Sequence, residues 1–185
     1  MAIFRGMNGP VTGLVDHVGA EALPPWTDYL DAAPETGWEA PLRAHLAATG
    51  RFLASLPHDR AGYAYAPGKW TVRQVVGHVL ISHRVFVSRA VAVARGETKA
   101  LPGYDENLYA RDWPPEAVGL TDLAAAYASE SAATIAWLAL MTPEDRERQG
   151  VANGLLIRPS WMLRALIGHE SHHLRVLAER YGISA

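Results

Sequence analysis

The sequence predicts an all-α protein built as a four-helix bundle with an irregular N-terminal arm. Four long stretches repeat apolar residues at three- and four-residue intervals, strand-like alternation is nearly absent, and caps and breakers sit between the stretches. A length of 185 residues suits one domain.

Residues 1–38 read as an arm that packs on the bundle, and residues 39–185 as the bundle domain. Pro10, Pro24, Pro25 and Pro34, with glycines between them, rule out one long helix in the arm. A short helix is expected near Trp26 to Ala32. The first long helix starts at about Glu39, carries Leu42, Leu46, Thr49, Phe52, Leu53 and Leu56 on one face, and is ended by Pro57.

Pro67-Gly68-Lys69-Trp70 breaks the chain. Thr71 then caps a second helix through Val72, Val75, Val76, Val79, Phe86, Val87, Ala90 and Val91, which runs to about Arg95 and stops at Gly96. A loop with Pro102, Gly103, Pro114 and Pro115 follows, holding a short turn around Glu106 to Ala110. Thr121 opens the third long helix, in which Leu123, Tyr127, Thr134, Leu138 and Met141 recur before Pro143. Val151 to Arg158 allows a brief extended pair. Ser160 opens the last helix, which ends near Tyr181 and Gly182.

Charge is nearly balanced, 17 basic against 19 acidic residues, so neither nucleic acid nor an anionic membrane surface is an expected partner. No apolar run approaches a membrane span, and the N-terminus has no signal-peptide pattern. A cytoplasmic protein is expected. Cysteine is absent, which removes disulfides, thiolate metal ligands and a protein thiol nucleophile together.

The chemistry concentrates in Gly168-His169-Glu170-Ser171-His172-His173. His169 and His173, four apart, share one edge of the apolar face set by Leu163, Leu166, Leu174, Leu177 and Tyr181, and that spacing lets two imidazoles grip one metal ion. His172 points away. A third ligand must come from elsewhere, and counting about 100° per residue favours His83 over His78, which sits on the flank of the second helix. His17, His45 and His58 have no partner at metal-ligand spacing. The same count buries Glu170, with Arg89 or Arg95 as its expected ion-pair partner; orienting a ligand histidine is the competing role. The stretch also satisfies H-E-x-x-H, in which Glu170 would be the catalytic base of a zinc protease. No downstream ligand or convincing sheet accompanies it.

Several segments together resemble the DinB-like superfamily, with its YfiT-like metal-dependent hydrolases and bacillithiol S-transferases. They are Tyr63-Ala64-Tyr65-Ala66-Pro67-Gly68-Lys69-Trp70-Thr71-Val72, Val75-Val76-Gly77-His78, Phe86, Arg89, Ala94-Arg95-Gly96, Leu101 to Glu106, Gly168 to His173 and Glu179-Arg180-Tyr181. The resemblance implies a four-helix bundle holding zinc or nickel through one histidine of the second helix and two of the last. Those positions fall on His78, His169 and His173, against the angular choice of His83.

At the position of His83 relatives commonly carry an acidic residue. Here it tunes the pocket, adds a ligand or does nothing chemical. Arg89 is a candidate anion- or cofactor-binding residue, with a structural role as the plainer reading. Tyr104, Asp105, Glu106 and Asn107 form either a pocket rim or a solvated loop. By resemblance the expected activity is transfer of a small thiol, of the bacillithiol or mycothiol type, to small electrophiles, by a homodimer. The alternatives are a metal-dependent ester or amide hydrolase and a non-catalytic metal-binding bundle in stress response.

Overall fold

The computed structural model describes residues 27–111 and 118–183. Among these, the long elements are α1 (Glu39–Ala54), α2 (Val72–Ala94), α4 (Leu120–Ala139) and α6 (Pro159–Tyr181). The short helices α3 (Glu106–Arg111) and α5 (Pro143–Glu147), and the antiparallel pair β1 (Gly150–Ala152) and β2 (Leu155–Ile157), lie between them. A 3-10 turn over Thr27–Ala32 precedes the bundle and packs against α6. The rest of the expected arm, residues 1–26, lies outside the described residues, as does the Pro114-Pro115 segment.

Local chemistry explains most boundaries. Thr71 and Gln74 form a capping box at the start of α2: the Thr71 hydroxyl accepts from the Gln74 N–H, and the Gln74 side chain accepts from the Thr71 N–H. Beyond its other end Gly96 takes a positive φ of 91°. α6 stops at Gly182, whose φ of 66° is the left-handed cap that a side chain resists. The opening of α4 departs from expectation. Its cap is Gly119, whose N–H donates to the Asp122 carboxylate, and Thr121 already lies within the helix.

The core is apolar and continuous across the four long helices. Leu42, Leu46 and Leu53 of α1, Val72, Val76, Val79, Phe86 and Ala90 of α2, Leu123, Tyr127 and Leu138 of α4, and Leu163, Leu166 and Leu177 of α6 are all nearly sealed from solvent. α2 and α6 form the principal pairing, with α1 and α4 closing the other side. One expectation about α2 needs correction: among the described residues it is long and apolar enough to cross a membrane, with mean hydropathy 1.2 over its best window. That window is 67% buried. Its hydrophobicity is what a helix walled by neighbours requires.

Candidate metal centre

Three histidines meet where α2 faces α6. A potential ligand nitrogen from each of His78, His169 and His173 lies within 4.8 Å of the other two. His78 Nε2 and His169 Nε2 are 3.0 Å apart, and the His173 ring lies 4.5 Å from that of His78 and 4.6 Å from that of His169, centroid to centroid. Four-residue spacing on α6 stacks His169 and His173 one turn apart, and the register of α2 brings His78 opposite them.

Burial sets the protonation of this group. It pushes His78 down to about 4, aided by His172, and His169 down to about 3, aided chiefly by His78. His173 is lowered for the same reason, with His169 and His78 adding repulsion. All three imidazoles are therefore neutral at neutral pH, the state in which a ring nitrogen offers a lone pair to a metal.

Zinc held by histidine at about 2.0–2.1 Å with tetrahedral angles sets ligand nitrogens roughly 3.3 Å apart, so a set already within 4.8 Å closes on an ion by small ring rotations. His169 Nδ1 is moreover buried with no hydrogen-bond partner. Whichever way its proton is placed, this imidazole keeps an unpaired polar atom in the core, the kind of cost usually found at functional groups. The donor set fits a divalent metal ion.

Aromatic rings wall the group. Trp70 packs on His78 at 4.9 Å, Phe86 on His169 at 5.6 Å, and Tyr29 of the 3-10 turn sits edge-on to His169 at 5.5 Å, all between ring centroids. Burial, then Glu106 and Asp28, push the Tyr29 phenol up, so it stays a protonated donor. His172 is half-buried beside Tyr29 and His173, outside the set of ligand nitrogens.

Glu170 belongs to a separate polar layer on the other side of α6. It is fully buried; Oε2 accepts from the Tyr127 hydroxyl at 2.6 Å and from His45 Nε2 at 3.0 Å, and Oε1 accepts from His83 Nδ1 at 2.8 Å. Burial alone would raise this carboxyl, but the hydrogen bonds and charges of His45 and His83 outweigh it and hold the group down at about 2. The expected arginine partners are elsewhere. Arg89 donates to the Pro102 carbonyl at 2.8 Å and lies over the Tyr104 ring, while Arg95 pairs with Asp145. With both carboxylate oxygens occupied, the H-E-x-x-H reading has no free oxygen with which to work on a metal-bound water.

His83 is drawn into this same layer. Its Nε2 lies 2.7 Å from Thr134 Oγ1, and that hydroxyl donates to the Glu130 carbonyl at 2.8 Å. With Glu170 on one ring nitrogen and Thr134 on the other, both nitrogens of His83 are engaged in this layer. His78 and His83, five residues apart, thus point to opposite polar layers. Both histidines are buried, and the one that the angular count favoured serves the carboxylate.

His45 was passed over because no metal-ligand partner stands near it in sequence; its partner is 125 positions away. Tyr127 and Thr134 read only as core positions of the third helix, and nothing in the sequence paired them with Glu170. The loop after α2 is partly a rim: Tyr104 OH and Ser82 Oγ are 2.9 Å apart, one turn beyond His78, and Asp105 caps α3 through the Asn107 and Leu108 N–H groups. Glu106 is half-buried, its carboxyl raised by burial and by Asp105. Asn107 is exposed.

Comparison with known proteins agrees with this architecture. A solved structure, YfiT from Bacillus subtilis, superposes with a TM-score of 0.69 at 22% identity, covering 80% of this chain and 90% of that one. That protein is described as a probable metal-dependent hydrolase with an unusual four-helix bundle topology. No curated protein matches. The sequence profile of the DinB superfamily matches residues 41–177, from α1 through most of α6 and across all three clustered histidines, and the chain belongs to that superfamily.

Proposed function

We propose that His78, His169 and His173 hold a divalent ion, zinc or nickel, and that the protein is a metal-dependent S-transferase. It would join a low-molecular-weight thiol of the bacillithiol or mycothiol type to small electrophiles. The observation that carries the metal reading is the convergence of three neutral imidazoles from two helices within 4.8 Å, those of His78 and His169 buried and that of His173 partly so. Three protein ligands, not four, are the count of a site that works on an exchangeable ligand. Bound there, such an ion supplies the acidity that makes a thiol or a water molecule nucleophilic at neutral pH.

The residues around the triad supply the rest. Neutral imidazoles keep their lone pairs available, the rings of Trp70 and Phe86 pack on two of them, and the Tyr104 hydroxyl meets Ser82 one turn beyond His78. The chain has no cysteine, so the attacking sulfur belongs to a cofactor. Glu170 and His83 support the site by fixing α6 against α1, α2 and α4, and Arg89 by holding the Pro102 loop. A small-molecule substrate, a cytoplasmic location and a homodimeric state complete this reading, with neither nucleic acid nor membrane as a partner.

Hydrolysis of esters or amides is the second reading, supported by the description of the Bacillus subtilis relative. A thiol panel with monochlorobimane, run on wild type and His78→Ala, separates the two. Metal-dependent conjugation in wild type, lost by at least about 100-fold in His78→Ala, is the expected result, because a metal-activated nucleophile is worth several kcal/mol. Absence of conjugation with every thiol, alongside metal-dependent ester cleavage, would shift the assignment to the hydrolase. A purified protein free of divalent metal and indifferent to chelator would instead overturn the metal-site reading itself.

A further inference from the structure

Of the rings packed on the triad, Trp70 and Phe86 belong to the α2 segment, whereas Tyr29 is delivered from outside the bundle by the Thr27–Ala32 turn. Two features of α6 hold that turn in place. Gly168, immediately before His169, has no side chain where one would collide: a Cβ there would lie 2.3 Å from the Tyr29 carbonyl oxygen and 2.5 Å from its Cα. One turn earlier Arg164, only 8% exposed, donates from Nη2 to the carbonyls of Leu30 at 3.2 Å and Ala33 at 3.0 Å.

Both features are costly. A glycine inside a helix is destabilising relative to alanine, and a buried guanidinium must be desolvated. The turn meets the core only in part, with Tyr29 and Leu30 half-buried against it and Ala33, just beyond, buried. What Gly168 and Arg164 achieve is to lay the backbone of Tyr29 flush against α6, with its ring edge-on to His169 and tilted against His172. Where Trp70 and Phe86 present apolar faces to the imidazoles, Tyr29 brings a phenol.

We propose that Tyr29 is a ligand-positioning residue of this site: its hydroxyl hydrogen-bonds to the part of a small ligand next to the atom that binds the metal. The inference rests on the metal reading of the triad. The ligand class selected is a small thiol that carries an oxygen three or four bonds from its sulfur, as 2-mercaptoethanol and the cysteinyl thiols do, in preference to a plain alkyl thiol. Gly168 and Arg164 act through Tyr29, by seating the turn that carries it.

The test uses the full chain loaded with cobalt(II), whose visible absorption reports both metal uptake and thiolate binding, titrated with 2-mercaptoethanol and with ethanethiol. Wild type should bind 2-mercaptoethanol about 3- to 10-fold more tightly than ethanethiol, the worth of one hydrogen bond. Tyr29→Phe should bring that ratio to about one while leaving cobalt stoichiometry and ethanethiol affinity unchanged, an outcome that a merely structural ring would not produce. Gly168→Ala, which displaces the turn but keeps the phenol, should also lose the preference. A Tyr29→Phe protein that keeps the wild-type ratio, or a wild type with no preference, overturns the proposal and leaves the metal site standing. A wild type that takes up no cobalt overturns both.

Discussion

At the scale of single residues, the neighbouring pair His169 and Glu170 carries two unlike tasks. About 100° of rotation separates consecutive positions on a helix, enough to aim His169 at His78 and Glu170 at His45, His83 and Tyr127. Substituting Glu170 by Gln therefore has a specific expected outcome. The isosteric amide fits the space, but it removes the charge and sets an N–H₂ where at least one donor already points. Breaking a buried pair from one side costs about 3–5 kcal/mol, and Glu170→Gln should fall near the lower end because its shape is kept. Urea unfolding should show that loss, while metal analysis of the folded protein shows wild-type stoichiometry. A stable Glu170→Gln protein that loses only activity would restore the catalytic role that H-E-x-x-H suggests.

At the scale of elements, α2 and α6 meet through two polar layers with different acid responses. The triad histidines are depressed, His78 to about 4 and His169 to about 3. As pH falls through the ordinary histidine value near 6.5, the unfolded chain takes up protons that the folded metal-free protein refuses. Their contribution is thus full above about 6.5 and declines as pH falls toward 4. Glu170, held at about 2 by its histidine bonds, adds a contribution that is full above its ordinary 4.5 and is lost as pH falls toward 2. The metal-free protein should accordingly lose stability in two successive windows. His78→Ala should flatten the upper one by about 3 kcal/mol, at 1.36 kcal/mol for each pH unit of its depression, and leave the lower one intact. Denaturant midpoints measured across pH 2 to 8 check both.

The same two layers mark how far these elements were legible beforehand. The ends of α2 and α6 follow from local signals, the Thr71–Gln74 box and the glycines at 96 and 182, because capping is decided within a few residues. The start of α4 was placed at Thr121 because the cap at Gly119 is a backbone N–H meeting Asp122, with no hydroxyl to announce it. Spacing alone gave His169 and His173, and the family resemblance pointed to His78, but periodicity on α2 cannot tell which buried histidine faces which neighbour. Choosing between His78 and His83 needs the α2–α6 register, a property of the packed pair. His45, Tyr127 and Tyr29 were illegible as site residues for a related reason, since each acts on a partner remote in sequence.

At the scale of the whole molecule, the triad joins two helices that are 91 positions apart through His78 and His169, so an ion held there links the folded pair and has little to grip in the unfolded chain. A ligand that binds only the native state at about 1,000 times its Kd adds roughly 4 kcal/mol. For a domain of this size each kcal/mol moves Tm by about 2–4 °C, so stripping the metal should lower Tm by roughly 8–16 °C. Readdition of zinc or nickel should restore it. His78→Ala should abolish this chelator response, because its nitrogen comes from the opposite helix and the two remaining ligands lie on α6 alone. His83→Ala gives the contrasting case: it should lower Tm with or without metal, because Oε1 of the buried Glu170 loses its partner, while the difference between loaded and stripped protein persists. Calorimetric scans of the three proteins, with and without chelator, make the comparison. A chelator response that survives in His78→Ala and disappears in His83→Ala would transfer the ligand role to His83, the residue that periodicity alone selects.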